Sequence, residues 1–101
     1  MTGADTIAAR VAAVRARIEA AARGAGRAPD AVRLVAATKT QSVDAIRAAV
    51  AAGVTDVGEN RAQELVAKAP ELEDVTPTWH FIGRLQRNKI KQLAPWVRWW
   101  H

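Results

Sequence analysis

The order in which hydrophobic patterns follow one another along this chain leaves few folds open. Ile7, Val11, Val14 and Ile18 recur at steps of four, three and four, the stripe of an α-helix. Asp5 or Thr6 can cap its start, and Gly24, Gly26 and Pro29 close it. In VRLVAAT (32–38) the residues from 34 to 37 are apolar without alternation, as in a strand covered on both faces. Ser42 caps a second helix whose Val43, Ile46 and Val50 face one way, with Gly53 at its end. TDVG (55–58) reads as a second strand, and a helix from about Asn60 to Ala69 stops at Pro70. The acidic stretch PELEDVTPT (70–78) is a loop, and WHFIG (79–83) is a third strand. From Gln86 to about Ala94 the pattern is helical, with Ile90 and Leu93 on one side and Pro95 as terminator. WVRWW (96–100) opens a fourth strand.

Strands alternating with helices require parallel pairing through right-handed crossovers. Two architectures fit: an open doubly wound sheet, or one half of a (β/α)8 barrel. A whole barrel takes about 250 residues, and the 101 residues here hold less than half of that. The glycine-rich phosphate fingerprint is absent after the first strand, where TKTQS (38–42) stands instead.

Composition narrows the chemistry. Without cysteine, neither a disulfide framework nor a thiolate metal site can form, and the two histidines have no carboxylate at ligand spacing. No metal site is therefore expected. Apolar runs fall far short of a bilayer span and no signal-peptide core opens the chain, so a reducing cytoplasm is expected. The net charge of +5 fits nucleic acid, an anionic small molecule, or neither. Part of it is concentrated in RLQRNKIK (84–91).

In parallel α/β folds ligands bind at the carboxyl ends of the strands. Those ends carry Thr38-Lys39-Thr40, then Gly58-Glu59-Asn60, then Trp79-His80-Phe81-Ile82-Gly83. An amine, an amide with a carboxylate, and an imidazole thus fall on one rim. A lysine amine held between apolar walls is disfavoured as ammonium and becomes a nucleophile. Each residue also has a plain structural reading. Lys39 can simply reach into water where the chain leaves the core. Asn60 can cap the helix that follows it, and His80 can be a core histidine bonded to a backbone carbonyl. Gly83 can turn the chain or admit a close approach to its backbone. Residues 84–91 can be the wet face of a helix, and the tryptophans packing.

The blocks LVAATKTQSVDAIRAAVAAGVTDVGENRAQEL and WHFIGRLQRNKIKQL, with GRAPDAVRLVA ahead of them, resemble the pyridoxal-phosphate homeostasis protein family. WHFIG with the following Leu85, Gln86, Asn88 and Lys89, placed behind GEN at this distance, is far more specific than any single short motif. The resemblance covers essentially the whole chain but only the first half of the family's barrel. It implies the N-terminal half of a (β/α)8 TIM barrel of the alanine-racemase-like type, residues 1–101 supplying the first four strands. It further implies that Lys39 forms a Schiff base with pyridoxal 5′-phosphate. Asn60 and His80 would surround the cofactor ring, with Gly83 close by; Glu59 and Asn88 belong to the motifs without an assigned contact. The role it implies is a non-catalytic carrier or buffer in vitamin B6 and amino-acid balance. Partners would be the cofactor and pyridoxal-phosphate-dependent apoenzymes, with no specific nucleic acid and no membrane.

Two departures stand out. Gln41 occupies a position where many relatives carry a second lysine, and the chain stops at His101, before the later strands whose loops hold phosphate in such barrels. Other readings are a racemase- or decarboxylase-like enzyme fragment and a basic nucleic-acid-binding module built on 84–91 with Trp96, Trp99 and Trp100. The enzyme would need a proton-transfer partner, and the racemase-type tyrosine base cannot come from a chain without tyrosine.

Overall fold

The computed structural model describes residues 3–101, with side chains from Thr6 onward. Helix α1 (Gly3–Gly24) is already wound at Gly3, so Asp5 and Thr6 lie within it and not at its cap; the Asp5 side chain is outside the described residues. Ile7, Val11 and Ile18 are partly covered, but Val14 is 40% exposed, so the stripe faces a neighbour only in part. That neighbour is α2 (Val43–Ala51). The Arg15 guanidinium also donates to the Gly53 carbonyl at 2.6 Å, fastening α1 to the end of α2.

Ser42 does what a short hydroxyl before an apolar stripe is expected to do. Its side chain accepts the Ala45 N–H at 3.1 Å and starts α2, whose Ile46 and Ala49 are buried. The strands are β1 (Val35–Ala37), β2 (Asp56–Glu59), β3 (Thr78–Phe81) and β4 (Val97–Trp100). Each is shifted or shortened by a residue or more from its apolar run, because ladder pairing and not hydrophobicity sets the ends. All pair in parallel, in the order β1-β2-β3-β4. A sequential order means that every crossover turns the same way and lays its helix on the same side of the sheet. This is the arrangement of half a (β/α)8 barrel and not of a doubly wound sheet, whose strand order reverses.

The core lies between the sheet and those helices. Val57, Trp79 and Phe81 point into it, against Ile46 of α2, Leu65 of α3 (Ala62–Lys68) and Leu93 of α4 (Ile90–Leu93). Burying each large side chain contributes about 1.5–3 kcal/mol. Pro70 does not end the third helix abruptly. It sits in a 3₁₀ turn (Ala69–Leu72), near whose start its missing N–H costs nothing, and Leu72 is fully buried there. The expected 70–78 loop therefore begins helical. The helix expected over Gln86–Ala94 is a 3₁₀ turn (Arg87–Lys89) leading into α4. Only Leu93 is buried on it, while Leu85 and Ile90 are each 41% exposed, so this segment covers the sheet less than its pattern implies. Among the described residues no helix is long and apolar enough to cross a membrane.

Candidate functional site

Strand register decides which side chains meet. Gly58 pairs with His80 and Asp56 with Thr78, so Asp56 and His80 share the sheet face away from the helices, and Glu59 lies on the opposite face. On the first face His80 is buried, 2% exposed. Its Nε2 lies 2.9 Å from Asp56 Oδ1 and its Nδ1 lies 2.9 Å from His101 Nε2. Arg33 donates to the same Asp56 oxygen at 3.0 Å, and the Thr55 hydroxyl donates to the other at 3.0 Å. Burial works against the Asp56 charge. The hydrogen bonds from His80, Arg33 and Thr55, with the Arg33 charge, outweigh it and hold this carboxyl below the ordinary aspartate value. His80 is thus a core histidine, but it is tied to a carboxylate and a second imidazole instead of a backbone carbonyl. Trp99 stacks beside it, ring centroids 6.2 Å apart.

On the helix side a second network stands behind the end of β1. Glu59 is completely buried, and a lone carboxylate there would be prohibitive. Lys68 of α3 answers it, with Nζ 3.1 and 3.2 Å from the two Glu59 oxygens. The same ammonium reaches Glu64 Oε2 at 3.1 Å and the Thr38 carbonyl at 2.9 Å, so its three protons have three acceptor groups. The Thr38 hydroxyl donates to Glu59, and its N–H donates to Gly58 O at 2.9 Å. Glu64 in turn accepts the Thr40 N–H at 3.1 Å. That backbone bond first, and Lys68 after it, hold the Glu64 carboxyl below the usual glutamate value.

Lys39 lies between these two anchored threonines. Its side chain is exposed, without the expected apolar walls, and among the described residues its ammonium makes no ion pair or hydrogen bond. Thr40 has φ 63°, a left-handed conformation uncommon for a β-branched residue.

Asn60 and Gly83 are brought together at the neighbouring strand ends. A Cβ on Gly83 would fall 2.1 Å from the Asn60 carbonyl oxygen, so only glycine fits this approach. Asn60 does not cap α3: that position belongs to Arg61, without a side-chain bond. Its Oδ1 is buried and has no hydrogen-bond partner. Beside it, a cleft of ≈ 230 Å³ is lined by Arg61, Gln63, Phe81, Arg84, Gln86 and Lys89. Neither Lys39 nor His80 lines this cleft, so the four expected site residues share one rim without yet enclosing one cavity.

Asp56, Glu64 and Lys68 are not marked as site residues by the sequence pattern alone. A signal for two of them was present: Glu64 and Lys68 stand four apart, the spacing of a helical ion pair.

The pyridoxal phosphate homeostasis protein of Pseudomonas aeruginosa is 48% identical over 97 residues, which cover 96% of this chain and 42% of that protein. The chain falls within the pyridoxal phosphate homeostasis protein family, over its N-terminal half. No protein-family model matches it. Among solved structures, an unknown protein from Bifidobacterium adolescentis superposes with TM-score 0.89 at 41% identity, covering 94% of this chain and 43% of the other. PipY of Synechococcus elongatus, solved with pyridoxal phosphate bound, gives TM-score 0.77 at 40% identity, covering 94% and 41%. The chain therefore spans less than half the length of the family members it matches.

Proposed function

We propose that this chain carries the amine-bearing half of a pyridoxal 5′-phosphate site, with Lys39 as the Schiff-base lysine. One observation carries the reading: the Lys39 ammonium, among the described residues, has no partner, while Thr38 and Thr40 on either side are held in place. When bound, the cofactor supplies an aldehyde that condenses with a primary amine and releases water. Lys39 offers that amine at the strand end, and the PipY structure, similar in fold, has pyridoxal phosphate bound.

The other rim residues fit such a group. The buried, unpartnered amide oxygen of Asn60 is ready for a donor from outside the chain. Gly83, having no side chain, lets the two strand ends close up beside it. Both His80 nitrogens are engaged, so His80 would shape the pocket through its ring and keep water from the sheet face. The cationic cleft around Arg61, Arg84 and Lys89 favours an anionic ligand near this rim.

The biological reading that follows is a cofactor carrier or buffer in the cytoplasm. It holds pyridoxal phosphate reversibly, hands it to dependent apoenzymes and serves vitamin B6 balance without catalysing a reaction. Residues 1–101 would then be the first four strands of that barrel. Titrating the intact protein with pyridoxal phosphate, beside Lys39→Ala, tests the proposal. The parent should develop a visible band that Lys39→Ala lacks; an equal band in both would remove Lys39 from the site.

A further inference from the structure

We propose that Lys68 is a positioning residue for Lys39, acting with Glu59 and Glu64 as a clamp that fixes the main chain on both sides of it. The inference rests on the reading of Lys39 as the cofactor amine, and it adds why that amine is held where it is. Lys68 does not touch Lys39. It touches the residue before it, through the Thr38 carbonyl at 2.9 Å, and through Glu64 it reaches the residue after it.

Three features separate this clamp from an ordinary surface ion pair. Its central carboxylate, Glu59, is completely buried, and the Lys68 side chain is 11% exposed, so solvent screens the pair little. The bonds end on main-chain groups of the Lys39 turn and not merely on other side chains. One of them holds Thr40 at φ 63°, where a threonine would not rest unaided. The Thr40 hydroxyl also donates back to the Lys39 carbonyl at 2.6 Å, completing the restraint on the Lys39 peptide. A flexible lysine at a freely moving strand end would spend its entropy at every binding event. Fixing the turn in advance removes part of that cost.

The consequence is specific. Loosening the clamp should weaken cofactor binding by roughly 2- to 10-fold, the cost of ordering a side chain and its turn at each binding event. It should do so even when global stability is retained. Lys68→Met alone leaves Glu59 buried and unpaired and can unfold the protein. Two gentler variants avoid this. Glu59→Gln with Lys68→Met removes both buried charges together, while Glu64→Gln keeps the Lys68–Glu59 pair and weakens the hold on Thr40.

The experiment measures three quantities on the intact protein and these variants: pyridoxal phosphate affinity from the visible band, melting temperature, and hydrogen exchange of the Thr40 and Gln41 amides. Leu72→Ala serves as a control that lowers stability through the core, far from the turn. Expected are weaker binding and faster Thr40 exchange in both clamp variants, near-parental affinity for Leu72→Ala below its melting point, and substantial recovery in Lys68→Arg. Parental affinity and parental Thr40 exchange in the clamp variants overturn the inference and leave the Lys39 reading standing. So does affinity that merely follows melting temperature across all variants. Absence of a Lys39-dependent band in the parent overturns both.

Discussion

Replacing Gly83 by alanine tests how the exits of β2 and β3 are locked together. The new Cβ would lie 2.1 Å from the Asn60 carbonyl oxygen, 2.7 Å from its carbonyl carbon and 2.8 Å from its Cα. Ordinary contact begins at 3.4 Å, so against 2.1 Å the shortfall at the oxygen is 1.3 Å. All three atoms are main chain, and no rotamer change relieves them. One strand exit must move, and the Ile82 N–H bond to the Glu59 carbonyl, 2.9 Å in the structure, stands in the way. Overpacking costs about 1–3 kcal/mol, and losing that bond adds about 1 kcal/mol. A total of ~3 kcal/mol is a large part of a typical stability of about 5–15 kcal/mol. In a domain of this size it lowers the melting temperature by roughly 12–24 °C. The control is Gly24→Ala, where an added Cβ meets nothing within 4 Å and the change should stay within about 0.5 kcal/mol. Thermal unfolding followed by circular dichroism reads both. If Gly83→Ala melts within about 3 °C of the parent, the close approach to Asn60 does not exist in solution.

Three further outcomes follow from the same geometry. His80→Ala should destabilise by about 1–3 kcal/mol through the lost hydrogen bond to Asp56, which keeps Arg33 and Thr55, and the space left by the ring, and change the colour of the cofactor complex without unfolding the protein; a collapsed fold with normal colour in the surviving fraction would make His80 purely structural. Because the Asp56 value is lowered on folding, its contribution is complete above the ordinary aspartate value of 3.8 and is lost as pH falls through and below it. The melting-temperature gap between parent and Asp56→Asn should therefore narrow between about pH 6 and about pH 3, and a constant gap contradicts the assignment. Residues 84–91 should show no sequence-dependent nucleic-acid affinity at physiological salt, since no base-reading module is present; sub-micromolar, sequence-dependent binding in a labelled RNA and DNA titration would restore that reading.

Much of the architecture was legible because it depends on local chemistry. The apolar run before Lys39, the Ser42 cap and the Ile46 stripe each report a nearby physical need, and their alternation implies parallel strands. The rim was legible too, since parallel strands bring their carboxyl ends together whatever the details. What escaped the sequence depends on register. Asp56 reads as an unremarkable polar residue at the start of a strand until pairing with β3 sets it beside His80. Glu59 reads as a motif residue, yet a charge at the end of a buried strand demands a partner, and only the packing of α3 shows that the partner is Lys68. The plain structural reading of Asn60 is a helix cap. The helix begins one residue later than a cap at 60 would set, which leaves its side chain free for another use. The segment after Gly83 was overread as a full helix because Ile90 and Leu93 share a helical spacing, although only Leu93 reaches the core.

Lys39 is proposed as the amine that takes up pyridoxal phosphate. Borohydride reduction of the loaded, intact protein, followed by peptide mass mapping, tests it most directly. One stoichiometric adduct is expected, on the peptide containing Lys39. An adduct on Lys68, Lys89 or Lys91 with Lys39 unmodified would contradict it.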